Sequence, residues 1–430
     1  MRSARLAVGL LLAINLFNYI DRYVLAAVES KIAADLLPGD PYALTKMGSL
    51  ATAFIISYMV SAPIFGWLAD RMSRWLLVGL GVIVWTLASG GSGLASTFTM
   101  LLVTRLFVGV GEGGYGPAAP TLIADLFPVH RRGSVMAWFY MAIPVGSALG
   151  YVLGGLIAER GGWRWAFYAV VPPGLLLGAL CFLMRDPPRG SSDVGPGAVL
   201  RKPGMRDYLA LFRIPSYVLD CAGMTAMTFA IGGISFWMPR YISQVRQAGS
   251  LEHVNTMFGG ITVVAGIAAT LAGGYAGDKL RPRFGGSYFL VSGIGILIAC
   301  PAVWLMTRLP FPAAWVALFV GEFFLFFNTG PSNTILANVT HPSVRATAFA
   351  LNIFFIHALG DALSPPVLGR IAERVSWDAA FGLVVLTMFL AGVLWLWGTR
   401  YLERDTALAT QGPTDRRDPP AELAGSDGLS

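Results

Sequence analysis

Long apolar runs recur along the whole chain, and short polar segments separate each run from the next. A hydrocarbon layer of about 30 Å needs about 20 apolar residues in helical conformation to cross it. The runs cover roughly residues 6–28, 44–69, 74–94, 97–125, 133–158, 163–184, 214–242, 254–277, 285–306, 312–337, 344–370 and 377–400. All of them reach that length, so the pattern predicts an all-α membrane protein with twelve transmembrane helices.

One polar segment is much longer than the others and divides the chain into two halves. Residues 186–213 are rich in Pro, Gly and basic side chains, which is typical of a linker on the membrane surface. We therefore expect a six-helix bundle over residues 1–185 and a second over residues 214–404. The polar tail at 405–430 is predicted to be disordered on the cytoplasmic side, because it has too few apolar residues to form a core.

Short motifs repeat between the two halves. The segment Gly66–Arg71 returns as Gly274–Lys279 at an offset of 208 residues. The pair Gly111-Glu112 returns as Gly321-Glu322 at an offset of 210 residues. Parallel repeats of this kind are related by an axis along the membrane normal and place a substrate site near the midplane between them.

Composition and charge placement support a membrane protein and orient it. Hydrophobic residues make up 55% of the chain and charged residues only 13%, against about 25% charged in a soluble domain. If the N-terminus is inside, twenty Lys and Arg side chains lie on the inner side and nine on the outer side. This bias predicts a multi-pass protein of the cell membrane with both termini in the cytoplasm. It also accounts for the net charge of +7 without a nucleic-acid partner.

Several stretches resemble a known family. The segment Gly66–Arg71 with Arg74 resembles the loop motif between helices 2 and 3 of the major facilitator superfamily. The stretches 15–23, 108–127 and 142–151 resemble the spinster family of lysolipid and sphingolipid transporters within it. The resemblance implies the fold of that superfamily, with alternating access by rocking of its two six-helix halves; the superfamily is itself the worked example of that general rule. The motif on the first helix, with Gly-Glu on the fourth, also resembles the anion:cation symporters for sugar acids.

Three ionisable residues lie inside predicted helices. A charge at the bilayer centre costs about 2.5–3.5 kcal/mol on insertion scales, so Asp21, Arg22 and Glu112 need partners and are functional candidates. The resemblance places Arg22 close to Glu112, and it implies proton coupling by Asp21 and Glu112 and substrate binding by Arg22. The three have a net charge of −1 when ionised, so one proton would neutralise them. A structural ion pair between the two helices is the alternative.

Other residues are candidates for the cavity and for a gate. The predicted substrate-binding residues besides Arg22 are Asn18, Tyr115, Glu322, Phe229, Phe236 and Asn328. The predicted cytoplasmic gate comprises Asp70, Arg71, Arg74, Asp278 and Lys279, in charge networks that the resemblance associates with the outward-open state. For His357 and Asp361, four residues apart on one helix face, we favour a structural hydrogen bond over a proton relay.

These observations favour a proton-coupled secondary transporter of an amphiphilic lipid, such as a lysophospholipid or a sphingosine-phosphate-like molecule. Aromatic side chains on the seventh and tenth helices would suit an acyl chain. A proton symporter of a small organic anion and a multidrug exporter are the alternatives. No nucleotide-binding or catalytic motif stands out, so we expect neither an enzyme nor a cofactor. A monomer is the default expectation for this fold.

Overall fold

A computed structural model describes residues 2–69, 71–127, 129–187, 209–340 and 344–410, and all regular structure in these ranges is helical. The spanning helices are α1 (Arg2–Leu36), α2 (Ala43–Ala69), α3 (Arg74–Gly93), α4 (Phe98–Tyr115 and Ala118–Leu126), α5 (Val129–Gly161), α6 (Trp163–Tyr168 and Val171–Cys181), α7 (Pro215–Arg240, then the π-helix Tyr241–Val245), α8 (Leu251–Leu280), α9 (Ser287–Arg308), α10 (Ala313–Phe326 and Thr329–Val339), α11 (Arg345–Phe355, the π-helix Ile356–Asp361 and Ser364–Arg374) and α12 (Trp377–Gly398).

The hydropathy of these helices agrees with the predicted spans. Within the described residues, eleven of them are long and apolar enough to cross a membrane. The first part of α4 is the exception, because Arg105, Glu112 and four glycines lower its mean hydropathy. It packs between α2 and α3 like the other helices of the bundle, and it completes the set of twelve spanning helices.

The start of the tail differs from the prediction. A short helix, α13 (Leu402–Thr410), continues into the segment predicted to be disordered. Asp405 accounts for this order, since its carboxylate accepts a hydrogen bond from the backbone N–H of Ser216 at 2.9 Å and so caps α7. Leu402 is fully buried beside it. The rest of the tail, 411–430, and most of the predicted linker, 188–208, lie outside the described residues.

Glycines set how closely the helices of one bundle approach each other. A Cβ atom on Gly146 would lie 2.6 Å from the Cβ of Tyr19, and one on Gly150 would lie 2.6 Å from the carbonyl oxygen of Ile20. The backbones of α5 and α1 are therefore in contact along this stripe. Gly111 does the same for α4, where an added Cβ would lie 2.5 Å from the backbone nitrogen of Trp85 on α3.

The two bundles are joined at one end of the molecule. We call the side where α1 begins and α12 ends the termini face, and the other side the opposite face. Near the opposite face, Arg240 donates to Glu29 at 2.6 Å, and the backbone N–H of Thr45 donates to Glu373 at 2.8 Å. Deeper in the bundle, Tyr151 donates to the carbonyl of Ser235. The described contacts thus close the opposite face.

Gly150→Ala should destabilise the protein, because the new methyl group meets backbone atoms of α1 that cannot move aside. Overpacking of this kind costs about 1–3 kcal/mol. The matched control is Gly260→Ala on α8, where nothing lies within 4 Å of the added Cβ. Thermal unfolding followed by size-exclusion chromatography should show a lower melting temperature for Gly150→Ala only. Equal melting temperatures would contradict the close packing of α1 and α5.

Glu29→Gln should shift the protein towards a state that is open at the opposite face. Glu29 is 1% exposed, and removing one partner of a buried ion pair costs about 3–5 kcal/mol in the state that contains it. The distance between spin labels at the exposed positions Pro41 and His253 should lengthen. Asp378→Asn breaks the half-exposed pair with Arg308 and serves as the control. An unchanged distance in Glu29→Gln would show that this pair does not hold the bundles together.

Candidate functional site

An ion pair inside the N-terminal bundle is the centre of the site. The Arg22 guanidinium on α1 places Nη2 at 2.5 Å and Nε at 2.7 Å from one carboxylate oxygen of Glu112 on α4. Glu112 is 1% exposed, whereas Arg22 is 23% exposed. The buried amide of Asn18 lies beside the same carboxylate. The pair predicted from the sequence is therefore present, with the carboxylate enclosed and the cation reaching into the open space.

The structure adds a fourth charged residue, Arg105, to the group formed by Asp21, Arg22 and Glu112. Asp21 accepts a hydrogen bond from the Ser89 hydroxyl on α3, and its other carboxylate oxygen is buried without a described hydrogen bond. The buried Arg105 guanidinium is the main cation acting on Asp21, and it donates to Ser92 at 3.3 Å. Two arginines thus accompany two carboxylates, and the ionised set is neutral. The charge of −1 expected from the sequence holds for Asp21, Arg22 and Glu112 alone, and Arg105 brings the larger group to neutrality.

Aromatic rings surround the Arg22 guanidinium. Its central carbon lies 5.2 Å from the ring centre of Tyr19, 4.9 Å from Phe54 and 5.5 Å from Tyr58. Rings at these distances attract a cation through their quadrupoles. The sequence analysis missed these three residues. The spacing could have revealed them, since Tyr19 lies three residues before Arg22 on α1, and Phe54 and Tyr58 lie four apart on α2.

A cavity between the two bundles is lined by Arg22 and by these three aromatic rings. Its volume is about 130 Å³. The lining residues are Tyr19, Arg22, Tyr23, Ala26, Ala51, Phe54, Ile55, Tyr58, Gly232, Ser235, Phe236, His357, Asp361 and Pro365. A smaller cavity beside it has both Arg22 and Arg105 in its wall. The walls are therefore mainly apolar and aromatic, with the charges concentrated in a few places.

His357 and Asp361 form the polar side of the cavity on the C-terminal bundle. His357 Nδ1 lies 3.0 Å from a carboxylate oxygen of Asp361, one turn away in the π-helical part of α11. The hydrogen-bonded pair is the one favoured from the sequence, but it connects two turns of one helix rather than two helices. The His357 ring also meets Tyr58 edge to face at 6.4 Å. Such π-helical turns are frequent at functional sites.

Several predicted substrate-binding residues lie away from both cavities. Tyr115 is buried within the N-terminal bundle and donates to the carbonyl of Leu11 at 3.1 Å. Asn328 donates to the carbonyl of Leu325 at 2.7 Å, where α10 is interrupted. Both side chains satisfy backbone groups near helix breaks, which accounts for polar atoms at these positions without a ligand.

The aromatic wall is also built differently from the prediction. Phe236 on α7 lines both cavities, whereas Phe229, about two helical turns earlier, lines neither and packs, partly buried, against the hydrophobic core. Glu322 on α10 is 3% exposed and does not line either cavity. The rings that face the cavity come mainly from α1 and α2 of the N-terminal bundle.

The predicted gate residues of the first half contact their own bundle. Arg74 pairs with Asp125 at 2.5 Å, and both side chains are almost fully buried. Arg71 covers the Trp67 ring at 4.0 Å and donates to its carbonyl at 3.0 Å. Asp70 lies outside the described residues. These contacts join the ends of α2, α3 and α4 at the termini face.

The corresponding residues of the second half also stay within their bundle. Asp278 accepts a hydrogen bond from the Tyr288 hydroxyl at 2.8 Å, and Lys279 lies 5.5 Å from the Tyr275 ring centre. The predicted role of both groups in holding an outward-open state concerns another conformation and stays a prediction. The described residues contain no cluster of three His, Cys, Asp or Glu side chains that could hold a metal ion.

Comparison with known proteins gives consistent matches over most of the chain. The family model of the Major Facilitator Superfamily matches residues 11–365. Protein spinster homolog 3 of Danio rerio is 35% identical over 448 aligned residues, covering 96% of this chain and 89% of that protein. Protein spinster homolog 1 of Homo sapiens is 36% identical, covering 88% and 75%. Sphingosine-1-phosphate transporter SPNS2 of Danio rerio is 34% identical, covering 87% and 77%.

Solved structures share the fold. A bacterial homolog of the human lysosomal transporter Spinster, in an inward-facing and unoccupied conformation, superimposes with a TM-score of 0.77 at 21% identity, covering 97% of this chain and 99% of that one. The inward-open xylose transporter XylE of E. coli gives 0.71 at 16% identity, covering 93% and 98%. At these identities the similarity concerns the arrangement of the helices alone.

A double-mutant cycle should detect the Arg22–Glu112 pair. Arg22→Gln and Glu112→Gln each leave one charge without its partner, and the double variant removes both charges. We expect the two losses to be non-additive by about 1–3 kcal/mol in the free energy of unfolding, measured by titration with a denaturing detergent. The same cycle on the exposed pair Lys31–Glu159 should give less than about 1 kcal/mol. Additive losses at Arg22 and Glu112 would exclude a direct interaction.

Proposed function

This chain belongs to the spinster family of the major facilitator superfamily, and from that premise we propose that it is a proton-coupled transporter of an amphiphilic lipid with an anionic head group. As a multi-pass membrane transporter of this superfamily, it would work by exposing one site alternately to the two sides, which is the mechanism known for the superfamily. The substrate class and the coupling ion are our proposal.

The observation that carries the proposal is the position of Arg22 between two environments. One side of its guanidinium binds the enclosed Glu112, and the exposed part lines a cavity of mainly apolar and aromatic side chains. A guanidinium is well suited to phosphate or carboxylate oxygens. An anionic head group at Arg22 would leave its acyl chain against the rings of Phe54 and Phe236. A small sugar acid would engage the Tyr, Ser and His side chains of the wall but would leave these apolar rings uncovered.

Competition for Arg22 supplies the coupling. Glu112 is enclosed, and Arg22 donates to it through two nitrogen atoms. When an anionic head group takes these donors, Glu112 is left as a buried charge that has lost its main partner, and the neutral carboxyl becomes the favoured form. Substrate binding would therefore accompany proton uptake. The nearby Asp21 and Arg105 keep their own balance, so the site stays close to electroneutral in both states.

The named relatives support this substrate class. One of them, from Danio rerio, is called a sphingosine-1-phosphate transporter, and that molecule has a single acyl-like chain and an anionic phosphate. We propose a ligand of the same chemistry for this chain, a lysophospholipid or a sphingoid phosphate. We also propose that the termini face is cytoplasmic, that residues 1–185 and 214–404 move as the two rocking units on either side of the linker 186–213, and that the protein acts as a monomer.

Binding measurements in nanodiscs should test the proposal. We expect lysophospholipid and sphingoid phosphate to bind, and Arg22→Ala to weaken binding about tenfold or more, because a hydrogen bond to a charged group is worth about 1.5–3 kcal/mol. Binding should depend on pH in the wild type and lose most of that dependence in Glu112→Gln. The control is Arg164→Ala at the opposite face, where Arg164 pairs with the exposed Asp35.

The alternatives predict different results in the same assay. Binding of sugar acids without lysolipids would favour the small-anion symporter, and binding of cationic drugs would favour an exporter. Lipid binding that is unaffected by both Arg22→Ala and Glu112→Gln would contradict the proposed coupling and leave the ion pair a structural role.

A further inference from the structure

Glu322 is a second acidic side chain inside the membrane that the proposed coupling does not use. It lies on α10 and is the repeat counterpart of Glu112 on α4. Its side chain is 3% exposed, and its Oε2 atom is buried without a described hydrogen bond. The preceding glycines are matched too, since Gly321 packs closely on Val303 of α9, as Gly111 packs on α3. The two halves thus present a carboxyl group in equivalent positions.

The surroundings of the two carboxyl groups differ in charge. Glu112 is bound by Arg22, but within its described residues α7 carries a basic side chain only at Arg240, which is paired with Glu29 near the opposite face. Glu322 has the Thr262 hydroxyl of α8 beside it, and the Tyr151 phenol of α5 is its titratable neighbour.

The neighbouring helices α8 and α9 bring no charge to this depth. The charged side chains of α8 are Glu252, His253, Asp278 and Lys279, all at its ends. On α9, Arg308 is the last residue, Tyr288 bonds to Asp278 near the termini face, and the Cys300 thiol donates to a carbonyl of its own helix. An ionised Glu322 would therefore be a buried anion without a cation among the described residues.

We propose that Glu322 is a second proton-binding site and that it holds its proton in the conformation described above. A carboxyl group enclosed in this way is far more stable in its neutral form than as an unpaired anion. As a neutral acid it can also donate a hydrogen bond to a neighbouring oxygen. This role replaces the predicted contact with substrate, because Glu322 does not reach either cavity.

In this proposal, Tyr151 makes proton release from Glu322 depend on the conformation of the protein. Its ring lies between Tyr23, at 5.1 Å, and Phe258 of α8, at 4.9 Å, and its hydroxyl donates to the carbonyl of Ser235. Tyr23 and Ser235 line the main cavity, so Tyr151 lies beside that cavity, and Glu322 is among its titratable neighbours. The Tyr151–Ser235 bond joins the two bundles and must break when the opposite face opens. Glu322 would then exchange its proton with the opposite side, separately from Glu112.

Infrared difference spectroscopy on the purified protein at neutral pH should test this. A protonated carboxyl group absorbs well apart from a carboxylate. We expect the wild-type spectrum minus that of Glu322→Gln to contain one protonated carboxyl band. Glu322→Asp should keep a band at a shifted position, and Thr262→Val should move it to higher frequency by removing a hydrogen-bonding partner. Glu112→Gln should leave this band in place.

Two results would overturn the proposal: a difference spectrum that shows only carboxylate bands, or a carboxyl band that persists unchanged in all three variants at Glu322 and Thr262. The measurement extends the proposed coupling by a second proton but contains no substrate. It can therefore succeed while lipid binding fails, or fail while lipid binding and the role of Glu112 are confirmed.

Discussion

A charge enclosed inside a membrane protein must be balanced by a nearby partner, and the architecture of this site follows from that constraint. The Arg22–Glu112 pair meets it across α1 and α4, with Asp21, Arg105 and Ser89 completing a neutral group. Glycines bring the helix backbones close enough for these side chains to meet. Of these charged side chains, Arg22 is the one that lines the main cavity, where the proposed anionic ligand would compete with Glu112 for it.

The two halves of the repeat share the helix packing around their Gly-Glu pair but differ in the charges beside the carboxyl group. Gly111-Glu112 and Gly321-Glu322 occupy matching positions, and in both pairs the glycine packs against the neighbouring helix. Only the first half supplies an arginine. Arg22, the partner of Glu112, lines the main cavity, whereas Glu322 lines neither cavity. An asymmetric pair of acids therefore results from a nearly symmetric fold.

The sequence predicted the helices and the repeat, because apolar length and short motifs are local signals, and the family resemblance implied the main ion pair. It did not predict which side chains share the cavity, because that depends on how α1, α2, α7 and α11 turn relative to one another. Tyr58 and His357 lie in different bundles and meet only in the folded protein. The order of α13 was missed for a similar reason, since its cap on Ser216 is a long-range contact.

The helix α1 carries both Arg22 in the binding site and Glu29 in the closure of the opposite face. Seven residues separate them, which is two turns and about 10 Å along one uninterrupted helix. A helix of this kind does not bend independently at the two points. Any tilt or rotation of α1 that moves Arg22 relative to Glu112 also displaces Glu29 relative to Arg240. Ligand binding at the proposed site and closure of the opposite face are therefore coupled directly by the rigid helix α1. No chain of intervening side chains is needed.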